Sequence, residues 1–204
     1  MKTSRLEAFS DGVLAIIITI MVLELQVPEG RTFADLRHTA GKALLSYVLS
    51  FVYVGIYWNN HHHMFQLTRR VTGGILWANL GLLFCLSLFP FITAWTDETD
   101  YARTPVVIYG VNLLMAGCAY YILQWVIIRD QGPESPLRRA IGRDLKGRLS
   151  PMFYLAGILC ARFVGGKNHV GVAIGIACYV LVALIWIVPD RRIDRAVREL
   201  GAPD

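Results

Sequence analysis

The chain reads Gly12-Val-Leu-Ala-Ile-Ile-Ile-Thr-Ile-Met-Val-Leu23 near its beginning, an apolar run without a charged residue. Together with its flanks the run covers residues 6–27, about the length of helix that crosses a hydrocarbon core roughly 30 Å thick. In lipid, the backbone of such a run satisfies its own hydrogen bonds only as a helix. The stretch therefore predicts a transmembrane helix.

Apolar runs of similar length recur along the whole chain. Hydrophobic residues make up 55% of it, charged residues 17%, and the mean hydropathy is +0.47, whereas a soluble domain carries about 25% charged residues. We predict an all-α integral membrane protein, folded as one domain over residues 1–204, with six transmembrane helices. The approximate spans are 6–27, 41–66, 74–96, 104–128, 150–165 and 168–188, the fifth being the shortest.

The basic residues are distributed as expected for six spans. With the N-terminus in the cytoplasm, 14 of the 20 basic residues fall in cytoplasmic segments, in agreement with the positive-inside rule. Both termini are therefore predicted to be cytoplasmic. The net charge of +5 needs no nucleic-acid partner, because basic loops commonly face anionic lipid. The loop after the fourth span is predicted to contain a short basic amphipathic helix within residues 137–146.

The sequence lacks the motifs by which common classes of enzyme are recognised. We find no glycine-rich phosphate loop, no pair of metal ligands four residues apart and no Ser-His-Asp grouping at an open site. We therefore expect no enzymatic activity and no cofactor. Four cysteines fall inside apolar runs without paired spacing, so we expect small buried side chains and no disulfide. They are Cys85, Cys118, Cys160 and Cys178.

Strongly polar side chains interrupt three predicted helices near their cytoplasmic ends. Asp11, His61 and Asn79 each lie roughly five residues from the inner face, which places them in one layer about 7 to 8 Å deep. Polar groups inside membrane helices are costly unless paired, so each is a functional hypothesis. Trp58 precedes His61 by one turn and is expected on the same helical face.

Three interpretations of this polar layer are open. The layer, together with Ser10 and a compensating charge from Arg5, could fix the packing of the helices. It could transfer protons or ions directly. A metal site at residues 61–63 is disfavoured, because consecutive histidines on a helix point about 100° apart.

One face of the first helix carries Gly12, Ile16, Thr19, Ile20 and Leu23 at helical spacing. The face can be a packing surface. Alternatively, identical helices around a symmetry axis would turn each position into a ring. Rings of isoleucine or leucine form a constriction that gates by dewetting, with the threonine hydroxyls as an adjacent polar ring.

Two motifs resemble the signatures of a known family. Arg5-x-x-x-Phe9-Ser10-Asp11 resembles the signature of the lysosomal potassium-channel family, transmembrane protein 175, and its bacterial homologues. Trp58-x-x-His61-x-x-Met64-Phe65 resembles the family's Trp-x-x-His-x-x-Leu-Phe, with methionine in place of leucine. Asn79 and Leu88-Phe-Pro90 follow in the third helix. The resemblance covers roughly residues 5–91, and the later helices match mainly in hydropathy.

The resemblance implies a potassium-permeable cation channel in the bacterial inner membrane, a homotetramer whose first helix lines the central pore. Whether other monovalent cations or protons permeate is left open. Carried over by position from Asp11, the narrowest ring falls on Ile16, followed by Ile20 and Leu23, and Thr19 matches a position implicated in cation preference. The implied interhelical network comprises Arg5, Phe9, Ser10, Asp11, Trp58, His61 and Asn79.

Ion selectivity is expected to come from side chains and pore width. The chain contains no Thr-Val-Gly-Tyr-Gly loop, whose carbonyls form the filter of tetrameric potassium channels of the familiar type. The alternative function is a proton-coupled secondary transporter that uses Asp11 and His61 as its titrating pair. The absence of an internal sequence repeat argues against a transporter built from inverted repeats.

Overall fold

The computed structural model describes residues 2–142, 144–165 and 169–187, all of whose regular secondary structure is helical. The all-α prediction is confirmed for these residues. The helices are α1 Thr3–Leu23, α2 Phe33–Gln66, α3 Gly73–Ser87, α4 Phe89–Glu98, α5 Arg103–Gln131, α6 Pro136–Ile141, α7 Leu145–Phe163 and α8 Val170–Ile187.

Five helical segments within the described residues are long and apolar enough to cross a membrane. They are α1, α2, the continuous segment α3 and α4, α5, and α8. The predicted span 150–165 falls in α7, which is not among them. Lys146, Arg148 and Arg162 bound its uncharged stretch, leaving fewer than the roughly 20 apolar residues that a full crossing needs. The sixth crossing stays a prediction.

The predicted start of α2 at residue 41 is wrong, since the helix begins at Phe33. The Thr32 hydroxyl accepts a hydrogen bond from the Asp35 backbone nitrogen at 3.3 Å, and the Asp35 carboxylate accepts one from the Thr32 backbone nitrogen at 2.9 Å. This reciprocal capping box satisfies two backbone donors at the start of the helix. Its Thr-x-x-Asp spacing was readable in the sequence.

The third predicted span, 74–96, is divided at Leu88 into α3 and α4. Pro90 stands in the first turn of α4 and has no backbone N–H to donate to the carbonyl of Leu86, so the regular hydrogen-bond ladder stops there. Instead, the nitrogen of Leu88 donates to the carbonyl of Cys85 at 3.4 Å. The predicted span is therefore one membrane-crossing segment, Gly73–Glu98, whose helix is interrupted at Leu88.

The amphipathic helix predicted within residues 137–146 is shorter than expected. It is α6, which ends at Ile141 and is followed by Gly142 at a φ of 52°. Leu137 and Ala140 are buried, whereas Arg138 and Arg139 are exposed. Leu145 and Lys146 already belong to α7, and Arg143 lies outside the described residues.

Helices α7 and α8 pack closely through small residues. A Cβ on Gly171 would overlap the carbonyl oxygens of Cys160 and Val164, and one on Gly175 would lie 2.9 Å from the carbonyl oxygen of Gly157. Close backbone approach at small residues four apart is the usual way in which membrane helices associate. The pattern Gly171-x-x-x-Gly175 thus joins α8 to α7.

Tyrosines fill the core between α2, α5, α7 and α8. The hydroxyl of Tyr53 donates to the carbonyl of Tyr179 at 2.5 Å, and the hydroxyl of Tyr179 donates to the carbonyl of Val106 at 3.3 Å. Buried phenol groups in an apolar interior need such partners. On the other side of the bundle, α1 contacts α2, α3 and α4.

Candidate functional site

A chain of hydrogen bonds joins Ser10 of α1, His61 of α2 and Asn79 of α3. The His61 Nε2 atom lies 2.7 Å from the Asn79 Oδ1 atom, and the Asn79 Nδ2 atom donates to the Ser10 Oγ atom at 3.0 Å. Ser10 Oγ donates in turn to the carbonyl of Leu6 at 2.9 Å. All three side chains are buried. One polar chain therefore connects the first three helices.

Asp11 and Trp58 form a separate pair beside this chain. The indole nitrogen of Trp58 donates to Asp11 Oδ1 at 3.0 Å. Trp58 is 46% exposed and its ring stacks on that of His62, not that of His61. Residues three and four positions apart are both neighbours on a helix, so Trp58 lies one turn from His61, but its side-chain contacts are with Asp11 and His62.

Glu7 and Gln66 complete a second polar group that the sequence analysis did not single out. His62 Nδ1 lies 2.6 Å from Glu7 Oε1, and His62 Nε2 lies 2.8 Å from Gln66 Nε2. Two signals pointed to them: Glu7 lies within the signature of the first helix, and Gln66 follows His62 by one turn. The group brings the start of α1 to the end of α2.

Arg5 and Phe9 are not brought into these contacts. Both are exposed, and the Arg5 side chain makes no hydrogen bond or ion pair with the described part of the chain. At 100° per residue, Arg5 points about 140° and Phe9 about 100° away from Ser10, which faces the bundle. The two residues instead lie on the outward face of α1.

The predicted stripe of α1 faces away from the protomer. Ile16 is 59% and Leu23 79% exposed, and Gly12, Thr19 and Ile20 are exposed as well. The hydroxyl of Thr19 donates to the carbonyl of Ile16, one turn earlier, at 2.9 Å. The opposite face packs into the bundle through Leu6, Leu14, Ile17 and Met21, all buried. Thus α1 has two apolar faces, and the protomer covers one.

Two of the three consecutive histidines, His61 and His62, contact different partners. His61 reaches Asn79 and His62 reaches Glu7. Across the described residues, no three His, Cys, Asp or Glu side chains gather in an arrangement that could hold a metal ion. Of the cysteines, Cys85 is buried but Cys118 is exposed, so the expectation that all four are buried is wrong at Cys118.

Known proteins resemble this one in the segment that contains the motifs beginning at Arg5 and Trp58. The model of the family described as "Endosomal/lysosomal potassium channel TMEM175" matches residues 5–90, the segment that contains the polar chain and the α1 stripe. A protein of a Chryseobacterium species named a potassium channel is 52% identical over 98% of this chain and 100% of its own length. The chain belongs to the TMEM175 family. This confirms the resemblance, and the TMEM175 family is one of ion channels, not of enzymes.

Relatives of this chain are named either potassium channels or proton channels. The crystal structure of a lysosomal potassium-selective channel TMEM175 homologue from Chamaesiphon minutus superposes with a TM-score of 0.72, at 26% identity, over 91% of this chain and 96% of that one. Human TMEM175, named an endosomal/lysosomal proton channel, is 35% identical over 52% of this chain and 23% of its own length. The structural match extends the likeness well beyond the two motifs.

Proposed function

We propose that this chain forms a potassium-permeable cation channel whose narrowest point is a hydrophobic constriction on α1. The observation that carries the proposal is the outward stripe of Ile16, Ile20 and Leu23, which lies opposite the face of α1 that packs into the protomer. Family membership and the potassium-channel names of the bacterial relatives support it.

In the proposed assembly, four copies surround one axis and each contributes α1. Ile16, Ile20 and Leu23 then form successive apolar rings, and Thr19 supplies a ring of hydroxyls between Ile16 and Leu23. A narrow apolar ring opposes ion passage because it dewets. The buried hydrogen bonds between Ser10, Asn79 and His61 would fix the orientation of α1 relative to α2 and α3. The stripe would then stay directed at the symmetry axis.

The proposed setting is the inner membrane of a bacterium, with both termini cytoplasmic and α7 as the sixth crossing. The charge distribution supports this orientation. Selectivity would come from pore width and from Thr19, a proposal supported by the absence of a Thr-Val-Gly-Tyr-Gly motif from the sequence. No cofactor is proposed, and K⁺ is the permeant ion.

Ion flux from liposomes loaded with potassium tests the constriction. Ile16→Asn and Ile16→Ala should each raise the flux or relax its selectivity, because a smaller or polar ring is easier to hydrate. Ile174→Ala on α8 is the matched control, since Ile174 is also exposed but lies far from α1 in the sequence. Unchanged currents from both Ile16 variants would remove this residue from the gate.

The assembly is tested separately by cross-linking. In a variant without its four native cysteines, Leu23→Cys should form disulfide-linked dimers under oxidation, because α1 helices around one axis bring their equivalent positions together. The mass of the detergent-solubilised particle should correspond to four chains. A monomer, or a Leu23→Cys variant that links no faster than Leu184→Cys on α8, would refute the pore assignment.

A proton-coupled transporter is less well supported. Asp11 and His61 do not share a hydrogen bond, since Asp11 binds Trp58 and His61 binds Asn79. The proton-channel name of the human relative nevertheless makes the proton a permeant ion to test. Currents that reverse at the potassium equilibrium potential regardless of the pH gradient would exclude obligate coupling, whereas a reversal potential that follows pH would favour the transporter.

A further inference from the structure

A cavity of about 510 Å³ lies between α2, α5, α7 and the end of α8, and none of the residues of the polar chain or the α1 stripe lines it. Its volume is within the range of about 300–1,000 Å³ typical of small-molecule sites. Aromatic and aliphatic side chains form most of its wall, among them Ile56, Tyr120, Tyr154 and Trp186. The cavity is thus apolar and separate from the proposed pore.

Three side chains at the cavity keep unused hydrogen-bonding groups. Gln124 is only 8% exposed, yet its amide bonds to none of the described residues, and neither does the hydroxyl of the buried Tyr57. Asn60 donates to the carbonyl of Ile56 at 2.8 Å, which leaves its amide oxygen unused. None of these free atoms is sealed off by protein, so they face the cavity. A few polar groups that face an otherwise apolar cavity are the usual way in which a site orients a ligand, so these atoms are available to hydrogen-bond one.

Charged groups stand where the cavity meets the surface. Arg148 lines it, is exposed, and pairs with none of the described residues. The Lys146 ammonium lies 5.9 Å from the centre of the Trp186 ring. Asp144 also lines the cavity, but its carboxylate caps α7 by accepting from the Gly147 backbone nitrogen at 2.7 Å. Among the described residues that line the cavity, the charge without an ion-pair or capping partner is therefore the Arg148 guanidinium.

The groups are ordered by depth. Arg148 lies at the start of α7, Asn60 and Gln124 lie about 10 Å inward from the ends of α2 and α5, and Tyr154 lies deeper. Tyr121 and Ile122 of α5, which are exposed, form the side wall. From the surface inward, the cavity therefore presents a cation, then hydrogen-bonding groups, then an apolar wall. A phospholipid has its phosphate, its glycerol esters and its acyl chains in the same order.

We propose that this cavity binds a glycerophospholipid. Its phosphate pairs with Arg148, since basic positions between transmembrane helices are suited to lipid head groups. Its glycerol and ester oxygens bond with Tyr57 and Gln124, and an acyl chain lies against Ile56 and Tyr154. The lipid enters from the bilayer past Tyr121 and Ile122.

Native mass spectrometry of the detergent-solubilised protein tests the proposal with phosphatidylglycerol as the probe. Arg148→Gln should reduce the retained lipid about fivefold, the effect of one cation near a lipid phosphate. Gly117→Leu should also reduce it, because Gly117 lines the cavity and a Cβ there meets Tyr154 at an ordinary 3.7 Å, so that the larger side chain fills the space. Arg69→Gln and Gly81→Leu, at exposed positions that do not line the cavity, are the matched controls. Equal retention by all variants would overturn the proposal.

Alkylation of Cys118 locates the lipid, because this exposed cysteine lines the cavity. With Cys85, Cys160 and Cys178 replaced by alanine, phosphatidylglycerol should slow maleimide labelling, and diacylglycerol with the same chains should do so much less. Arg148→Gln should abolish the difference between the two lipids. Equal protection by diacylglycerol, or protection by free glycerol phosphate alone, would overturn the assignment of a phospholipid. Protection that follows protein concentration instead of lipid would also overturn it and indicate a contact between copies.

Discussion

His61 and Asn79 are joined by a hydrogen bond of 2.7 Å between the imidazole Nε2 atom and the amide Oδ1 atom, and both side chains are buried. For Nε2 to donate, neutral His61 carries its proton on that nitrogen. The Nδ1 atom is buried and has no hydrogen-bond partner within the described residues. Since Asn79 also donates to Ser10 at 3.0 Å, one amide holds α1, α2 and α3 together.

Asn79→Ala should lower the free energy of unfolding by about 1–3 kcal/mol, because it leaves the buried groups of His61 and Ser10 without a partner. Thermal unfolding in detergent measures the change. Asn59→Ala is the control: Asn59 is half-buried and makes no side-chain hydrogen bond with the described residues, so its change should stay within about 0.5 kcal/mol. Equal losses from the two variants would contradict the role of Asn79.

The contribution of His61 should depend on Asn79. If the two act through their shared hydrogen bond, the effects of His61→Phe and Asn79→Ala should depart from additivity by about 0.5–3 kcal/mol in a double-mutant cycle. The same unfolding measurement on the wild type, the two single variants and the double variant yields this value. Additive effects would indicate that each residue acts through other contacts.

Trp58→Phe should lower stability less than Asn79→Ala does. The substitution removes the hydrogen bond to Asp11, but Trp58 is half-exposed and the Asp11 carboxylate is not fully buried. A net loss of about 0.5–1.5 kcal/mol is typical for one hydrogen bond. A loss as large as that of Asn79→Ala in the same assay would show that the pair is more important to the fold than its exposure suggests.

Two neighbouring isoleucines of α1 should behave oppositely. Ile17 is 3% exposed and packs into the bundle, so Ile17→Ala should destabilise the protomer by about 2–5 kcal/mol. Ile16 faces outward, so Ile16→Ala should leave protomer stability nearly unchanged while it alters ion flux. Unfolding in a denaturing detergent that first separates the assembly into single chains, and flux from liposomes, measure the two effects. Equal destabilisation by both variants would contradict the two-faced helix.

Adding a methyl group at Gly171 should weaken the contact between α7 and α8 and so lower the free energy of unfolding. Gly171→Ala places a Cβ against the backbone carbonyls of Cys160 and Val164, and overpacking of this kind costs about 1–3 kcal/mol. Gly55→Ala is the control, because a Cβ at Gly55 meets no atom within 4 Å. The control should be neutral or stabilising by about 0.5–1 kcal/mol. A Gly171→Ala protein as stable as the wild type would exclude a tight helix contact there.

The family and the helical class were predictable from the sequence because both depend on local patterns. Apolar runs of membrane-spanning length determine helices wherever lipid surrounds them, and the spacing Arg5-x-x-x-Phe9-Ser10-Asp11 is a property of one short segment. Errors arose where a polar cap or a missing donor acts against hydropathy. The Thr32 cap starts α2 at Phe33, before the apolar part of that helix begins. Pro90 interrupts the helix within the third span.

The partners of the polar residues were decided only by the tertiary structure. The sequence by itself placed Asp11, His61 and Asn79 at one depth, because the rise per residue of a helix is constant. It did not determine how each helix is rotated about its own axis, since rotation depends on packing against neighbouring helices. That rotation determines that His61 contacts Asn79, Asp11 contacts Trp58 and His62 contacts Glu7. It also places Ile16 on the outside of the protomer and Ile17 on the inside.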